Sequence, residues 1–152
     1  MVAEGMHSLL PEDLAAVPAG VPPALLAGKR VLTAGHESPD ADAVGSALGI
    51  ALALESLGAR VETAFADPVP AMYDFMPQVE RARTSVSADL EPDLIVVCDG
   101  DISRTGAILR DNAELFGRVP IVNIDHHVSN GGARGTSWVD ADAAATCEQA
   151  TL

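Results

Sequence analysis

The chain has 152 residues, 48% of them hydrophobic, which is enough to bury one core, and one domain is expected. Its formal net charge of −13, from 22 acidic against 9 basic residues, excludes a passive nucleic-acid binder, which would present a basic face. It does not exclude an enzyme acting on phosphates, because bound cations reverse the sign of an acidic site locally.

Residues 1–28 contain two weakly helical pieces, one capped by Ser8 over 9–17 and one opened by Pro22-Pro23 and ending at Gly28. They carry no chemistry and read as an N-terminal helical appendage used for packing, with His7 an exposed bystander. Residues 30–34 form a short buried strand, and 47–57 a helix stopped by Gly58. His36, Asp40 and Asp42 fall in the turn between them, and in open parallel α/β sheets such turns are where ligands bind. Pro39 disfavours helix at Ser38 and holds the turn open. Asp40 and Asp42, one residue apart in an extended segment, point to the same side. Residues 60–66 alternate as a second strand, 67–70 are a loop, 71–76 a helical turn, and 80–86 a short or edge strand.

The run 93–98 is almost continuously apolar, as a central parallel strand covered on both faces should be, and it ends in Asp99-Gly100-Asp101. Residues 103–109, and on to 116, read as helical. Residues 120–124 are another buried strand ending in Asp125-His126-His127, followed by a Gly-rich loop over 129–135, a short strand at 137–139 and a helix starting near Asp142. Strands alternating with helices predict an α/β fold with three layers, a mainly parallel sheet with helices on both faces.

Cys98 and Cys147 lack the CxxC spacing of a zinc knuckle and are too few for a disulfide framework, so free thiols in a reducing compartment are expected. The N-terminus lacks a basic start and an apolar core, so no signal peptide is expected and the location is cytoplasmic. The longest apolar stretch, 43–54, is too short to span a bilayer and is broken by Gly45, Ser46 and Gly49.

Three strands thus end in acidic or histidine-bearing turns: His36/Asp40/Asp42, Asp99/Asp101 and Asp125/His126/His127. A parallel sheet gathers the carboxyl ends of its strands on one rim, so these groups converge. Each turn alone has an ordinary explanation, since a strand-end Asp is often a helix N-cap. Together they crowd carboxylates that repel one another unless cations neutralise them. Imidazole nitrogens with carboxylate oxygens suit manganese, magnesium, iron(II) or zinc. The number of candidate ligands fits two ions better than one, with Asp99 on the central strand able to bridge them, as in two-metal hydrolases. No phosphate-binding P-loop, dinucleotide-binding glycine turn or nucleophile elbow competes with this reading.

The ordered segments H-x-x-P-D-x-D-x-x-G-S (36–46), V-V-C-D-G-D-x-x-R-T-G (96–106), I-D-H-H (124–127) and A-A-A-T-C-E (143–148) resemble those of the DHH phosphoesterase superfamily, relatives of the RecJ exonuclease. Within it they look most like the nanoRNase/pAp-phosphatase branch, the bifunctional oligoribonucleases. The resemblance implies that residues 29–152 are a DHH catalytic domain using two manganese ions, with magnesium the alternative. It places His36 and Asp40 on one ion, Asp42 and His126 on the other, and Asp99 between them. His127 would contact the substrate phosphate, Asp125 would orient the histidines, Arg104 would be an electrostatic partner, and Ser46 would open a helix facing the site. The family's core continues beyond the A-T-C-E helix to a further ligand motif and then a basic DHHA1 domain. Neither is within these residues, so an incomplete domain with weak metal binding and little turnover by itself is expected.

The implied activity is hydrolysis of short oligoribonucleotides, or of nucleotides such as 3′-phosphoadenosine 5′-phosphate, by two-metal activation of water. The implied partners are short RNA or nucleotide phosphates, with no stable duplex nucleic acid, no membrane, and a homodimer admissible for the full-length form. A family II-like inorganic pyrophosphatase shares the H-x-x-x-D-x-D and D-H-H skeleton, but the A-A-A-T-C-E and D-G-D-x-x-R-T-G segments weigh against it. A non-catalytic nucleotide-binding module left by truncation is the alternative from another class.

Overall fold

The computed structural model describes residues 26–130 and 135–151. Of the helical pieces expected within 1–28, the first and most of the second lie outside the described residues, and residues 26–28 form a turn. Strands β1 (Arg30–Ala34), β2 (Arg60–Ala64), β3 (Leu94–Cys98), β4 (Ile121–Asp125) and β5 (Thr136–Val139) form one sheet in the order β2-β1-β3-β4-β5. Every pairing is parallel. The helices are α1 (Ala41–Ser56), α2 (Ala107–Asp111), α3 (Ala113–Arg118) and α4 (Thr146–Ala150).

Alternate residues along the strands feed two separate cores, because successive side chains leave a strand on opposite faces. Val31, Val96 and Cys98 pack with Val44, Leu48 and Phe65 on the α1 side. Leu32, Ile95 and Val97 pack with Ile108 and Phe116 on the α2–α3 side. Helices on both faces give the expected three layers. The order of strands reverses between β1 and β3, and the crevice outside their carboxyl ends is where a doubly wound sheet receives ligands.

Several boundaries differ from expectation, each for a local reason. Helix α1 begins at Ala41, six residues earlier than 47, because Asp40 caps it: its Oδ1 accepts from the N–H groups of Asp42 and Ala43, both at 3.0 Å. Asp42 therefore sits in the first helical turn and not in an extended segment. Ser46 lies inside the helix, its hydroxyl donating to the carbonyls of Asp42 (2.6 Å) and Ala43 (3.3 Å), so it opens nothing.

The expected strand at 80–86 reduces to one bridge between Ala64 and Arg83 after a 3-10 turn, Val79–Arg81. There Glu62 takes the Ser87 N–H (2.7 Å) and hydroxyl (2.5 Å), a side-chain interaction that replaces a ladder. The helix expected over 103–116 is split. A 3-10 turn, Ile102–Thr105, stops at Gly106 (φ +58°), and Asn112 separates α2 from α3 by donating to the Ile108 carbonyl at 2.8 Å. The last helix starts at Thr146 and not near Asp142, whose N–H is held in a local turn by the Asp140 carboxylate (3.0 Å).

Candidate metal centre

The turns after β1, β3 and β4 meet at the carboxyl rim, with Asp99 at their centre. Asp99 directly follows β3 with only 1% of its surface exposed, in the left-handed conformation (φ +59°). Aspartate tolerates that conformation better than most residues, and a buried outlier of this kind signals a position held for function. Its N–H donates to the Ile124 carbonyl (2.9 Å), so the β4 partner fixes the strained residue.

Three imidazoles surround this carboxylate. His36 Nε2 lies 3.5 Å from Asp99 Oδ2, while His126 Nε2 (3.6 Å) and His127 Nδ1 (3.7 Å) lie against Oδ1. Two groups of three side chains could each hold an ion, His36–Asp40–Asp99 and Asp99–His126–His127. Asp99 belongs to both, with one oxygen toward each. The donors are nitrogen and carboxylate oxygen, a set that fits a hard or borderline divalent cation. The ion-pair contacts of this buried carboxylate run to imidazoles, so its neutralisation calls for a proton or a cation held among them.

His36 is pulled to the protonated side by this neighbourhood. The hydrogen bond to Asp99 dominates, burial opposes it, and contact of Nδ1 with the Glu37 carbonyl (2.6 Å) adds to it, placing its pKa at about 9. A proton on His36 thus occupies the place that a cation would take. Asp40 Oδ1 lies 3.7 Å from His36 Nε2 while capping α1.

Asp42 behaves differently from the other expected ligands. Its Oδ2 is 3.6 Å from His126 Nε2, yet both its oxygens are already used. Oδ2 accepts from the Thr146 N–H and Oδ1 from the Cys147 N–H, each at 2.7 Å, so Asp42 caps α4 across 104 residues of chain. Burial works against its charge, but the hydrogen bonds from Cys147 and Thr146 outweigh it and hold its carboxyl below the ordinary range. Asp101 is likewise a cap, accepting from the Ser103 N–H at 2.8 Å.

Asp125 is fully buried and organises the turn that follows β4. Its Oδ1 accepts from the His126 N–H (2.8 Å) and His127 N–H (3.2 Å), and lies 2.7 Å from His127 Nδ1. A proton on Nδ1 there leaves His127 Nε2 as the atom available to a substrate. Asn130 donates to Asp125 Oδ2 (2.8 Å) and to Asn123 Oδ1 (2.7 Å), and Asn123 donates to the Gly100 carbonyl (2.9 Å). Arg104 reaches the rim, its Cβ and Cδ 3.8 Å from where a Gly100 side chain would begin, and its carbonyl accepts from the Glu37 N–H (2.7 Å).

The two asparagines are the residues that sequence reasoning passed over. A single asparagine in the otherwise apolar stretch Ile121-Val122-Asn123-Ile124 was the available signal.

Among the described residues no helix is long and apolar enough to cross a membrane. Cys98 is buried and Cys147 half-buried, both free thiols. Burial raises the pKa of both, that of Cys147 to about 12 with Asp42 contributing, so neither is a ready thiolate.

The chain is similar to known proteins in sequence and in fold. The bifunctional oligoribonuclease and PAP phosphatase NrnA of Thermus thermophilus is 33% identical over 118 residues, covering 78% of this chain and 34% of that protein. The chain therefore spans about a third of the length of this curated relative. An exopolyphosphatase-related protein from Bacteroides fragilis superposes with a TM-score of 0.69 at 21% identity, over 80% of this chain and 38% of that one, a likeness of fold. The family described as DHH family, N-terminal domain, matches residues 30–152. With its Asp-His-His turn at the sheet's carboxyl rim, the chain belongs to the DHH family and carries that N-terminal domain.

Proposed function

We propose that residues 29–152 form the catalytic domain of a two-metal phosphoesterase acting on short oligoribonucleotides and on nucleotides of the 3′-phosphoadenosine 5′-phosphate type. The observation that carries this reading is Asp99, one buried carboxylate shared by two potential ligand triads. Manganese is the proposed ion and the cytoplasm the proposed location, with residues 1–28 an appendage. When bound, the two ions would supply activation of water and neutralisation of charge at phosphorus. His36 and Asp40 would hold one ion, with Asp99 reaching both.

His126 would hold the other ion, with His127 in the same potential ligand group and Asp42 Oδ2 3.6 Å from His126 Nε2. With Asp125 taking the Nδ1 proton of His127, the imidazolium form of His127 would donate its Nε2 proton to a phosphoryl oxygen or to the departing group. Arg104 at the rim adds positive charge where a phosphate would approach. The substrate class rests on the NrnA likeness.

Calorimetric titration of the chain with Mn2+ should give two ions, and Asp99→Asn should weaken both. In the full-length form, hydrolysis of an RNA dinucleotide and of 3′-phosphoadenosine 5′-phosphate should require Mn2+ and be lost in Asp40→Ala and His126→Ala. Hydrolysis of pyrophosphate alone would reverse the substrate assignment. Unchanged turnover in either alanine variant would overturn the metal assignment.

A further inference from the structure

Of the four sequence motifs, A-A-A-T-C-E is the one that supplies no expected ligand, yet its threonine touches both carboxylates that meet at the centre. Thr146 is fully buried. Its backbone N–H donates to Asp42 Oδ2 at 2.7 Å and its hydroxyl donates to Asp99 Oδ1 at 3.0 Å. Asp99 Oδ1 is the oxygen that faces His126 and His127, so the hydroxyl fixes the side of Asp99 that turns toward the second triad. The Cys147 N–H secures the other oxygen of Asp42, and Gly45 lets the two helices approach, since a Cβ there would stand 2.9 Å from Cys147 Sγ.

We infer that Thr146 is a positioning residue for the metal centre: its hydroxyl and its amide set the mutual orientation of Asp99 and Asp42, and thereby the affinity of the second ion site. The inference rests on the two-metal reading given above. A hydroxyl that orients a ligand carboxylate lowers the cost of organising the site when the ion arrives. Its removal leaves one oxygen of a buried carboxylate without its donor, free to turn. Losses of such supporting contacts weaken metal binding by roughly 10–100-fold.

A packing role alone would predict something else. Thr146→Ser keeps the hydroxyl and loses a methyl, whereas Thr146→Val keeps the shape and loses the hydroxyl. Packing predicts that serine is the worse substitution, and positioning predicts that valine is.

The test is Mn2+ titration of the 152-residue chain and its variants by calorimetry, alongside the rise in melting temperature on adding Mn2+. Thr146→Val should weaken the second binding event by roughly 10–100-fold and lose most of the Mn2+-induced rise. Thr146→Ser should stay within about threefold of wild type, well below that range. Thr146→Ala, which cannot clash in α4, is measured in parallel and should match valine. Equal affinities for valine, alanine and wild type, or a serine variant as impaired as valine, would overturn the positioning role while leaving the metal reading intact. Failure of the wild-type chain to bind Mn2+ would instead overturn the metal reading and this inference with it.

Discussion

Asn123 offers the sharpest test of how the rim is held together. It is 2% exposed on β4, on the face it shares with Ile121 and the buried Asp125. Its amide donates to the carbonyls of Val97 (3.2 Å) and Gly100 (2.9 Å), and its oxygen accepts from Asn130 (2.7 Å). It therefore ties the turn after β3 to the turn after β4. Asn123→Leu keeps similar bulk and removes all of these bonds. At about 1 kcal/mol net for each, the loss is about 3 kcal/mol, weighted toward the Gly100 carbonyl, which is left buried without this donor.

For a domain of this size, about 3 kcal/mol lowers the melting temperature by about 10 °C. Thermal unfolding followed by circular dichroism, with a urea titration to check that the slope is unchanged, reads the effect directly. Because Asn123 carries no charge, the difference should be the same at neutral and mildly alkaline pH. A melting temperature within about 3 °C of wild type, less than a third of the shift worked out above, would refute the reasoning. It would mean that the turns are held by the sheet alone.

Two further outcomes are expected. The Arg81 guanidinium makes a two-pronged pair with Glu55, and its hydrogen bond chiefly holds the Glu55 carboxyl below its ordinary range. The pair is partly solvated, so Arg81→Ala should cost no more than about 1 kcal/mol at neutral pH. Since the folded-state pKa is the depressed one, this contribution is present above the ordinary carboxylate value and lost as pH falls through the folded one. Urea titrations of both proteins should therefore converge in acid. Gly45→Ala gains about 1 kcal/mol of helix propensity but sets a Cβ 2.9 Å from Cys147 Sγ, an overpacking that costs about 1–3 kcal/mol. The double variant with Cys147→Ala should be more stable than Cys147→Ala alone, and a coupling below about 0.5 kcal/mol in that cycle would rule out the clash.

Strands β1, β3 and β4 were legible because each is a short, mostly apolar run ending in turn chemistry, β2 was legible from its alternation, and β1 begins and ends where its pattern does. The convergence of three turns followed from parallel topology alone, as did the central place of Asp99. The start of α1 was not legible because Asp40 reads equally as ligand and as cap, and it caps Asp42 and Ala43 while lying 3.7 Å from His36. The role of Asp42 toward α4 could not be read because its hydrogen-bond partners are backbone amides 104 and 105 residues away, which have no side-chain signature. The bonds from Ser87 to Glu62, just past the single bridge that stands in place of the strand expected at 80–86, are likewise invisible to periodicity. Tertiary side-chain-to-backbone contacts override local pattern at these points.

The four motifs are consequently not four independent contributions to one rim. Asp42 is held by α4, α4 approaches α1 only because residue 45 is glycine, and Thr146 at the start of α4 reaches Asp99. Asp99 is fixed in turn by β4, whose Asn123 joins the Gly100 carbonyl to Asn130 and so to Asp125 and His127. Asp42 and Asp99 thus each have a partner whose own position depends on another motif. Such a closed set of contacts restrains mutually repulsive groups without a lysine or arginine neutralising Asp99 among its ion pairs, which would compete with a cation for the same oxygens. A polar network of this kind stabilises only while every member is satisfied. Loss of any one link should therefore be felt at the two ligand triads before it is felt in the apolar cores.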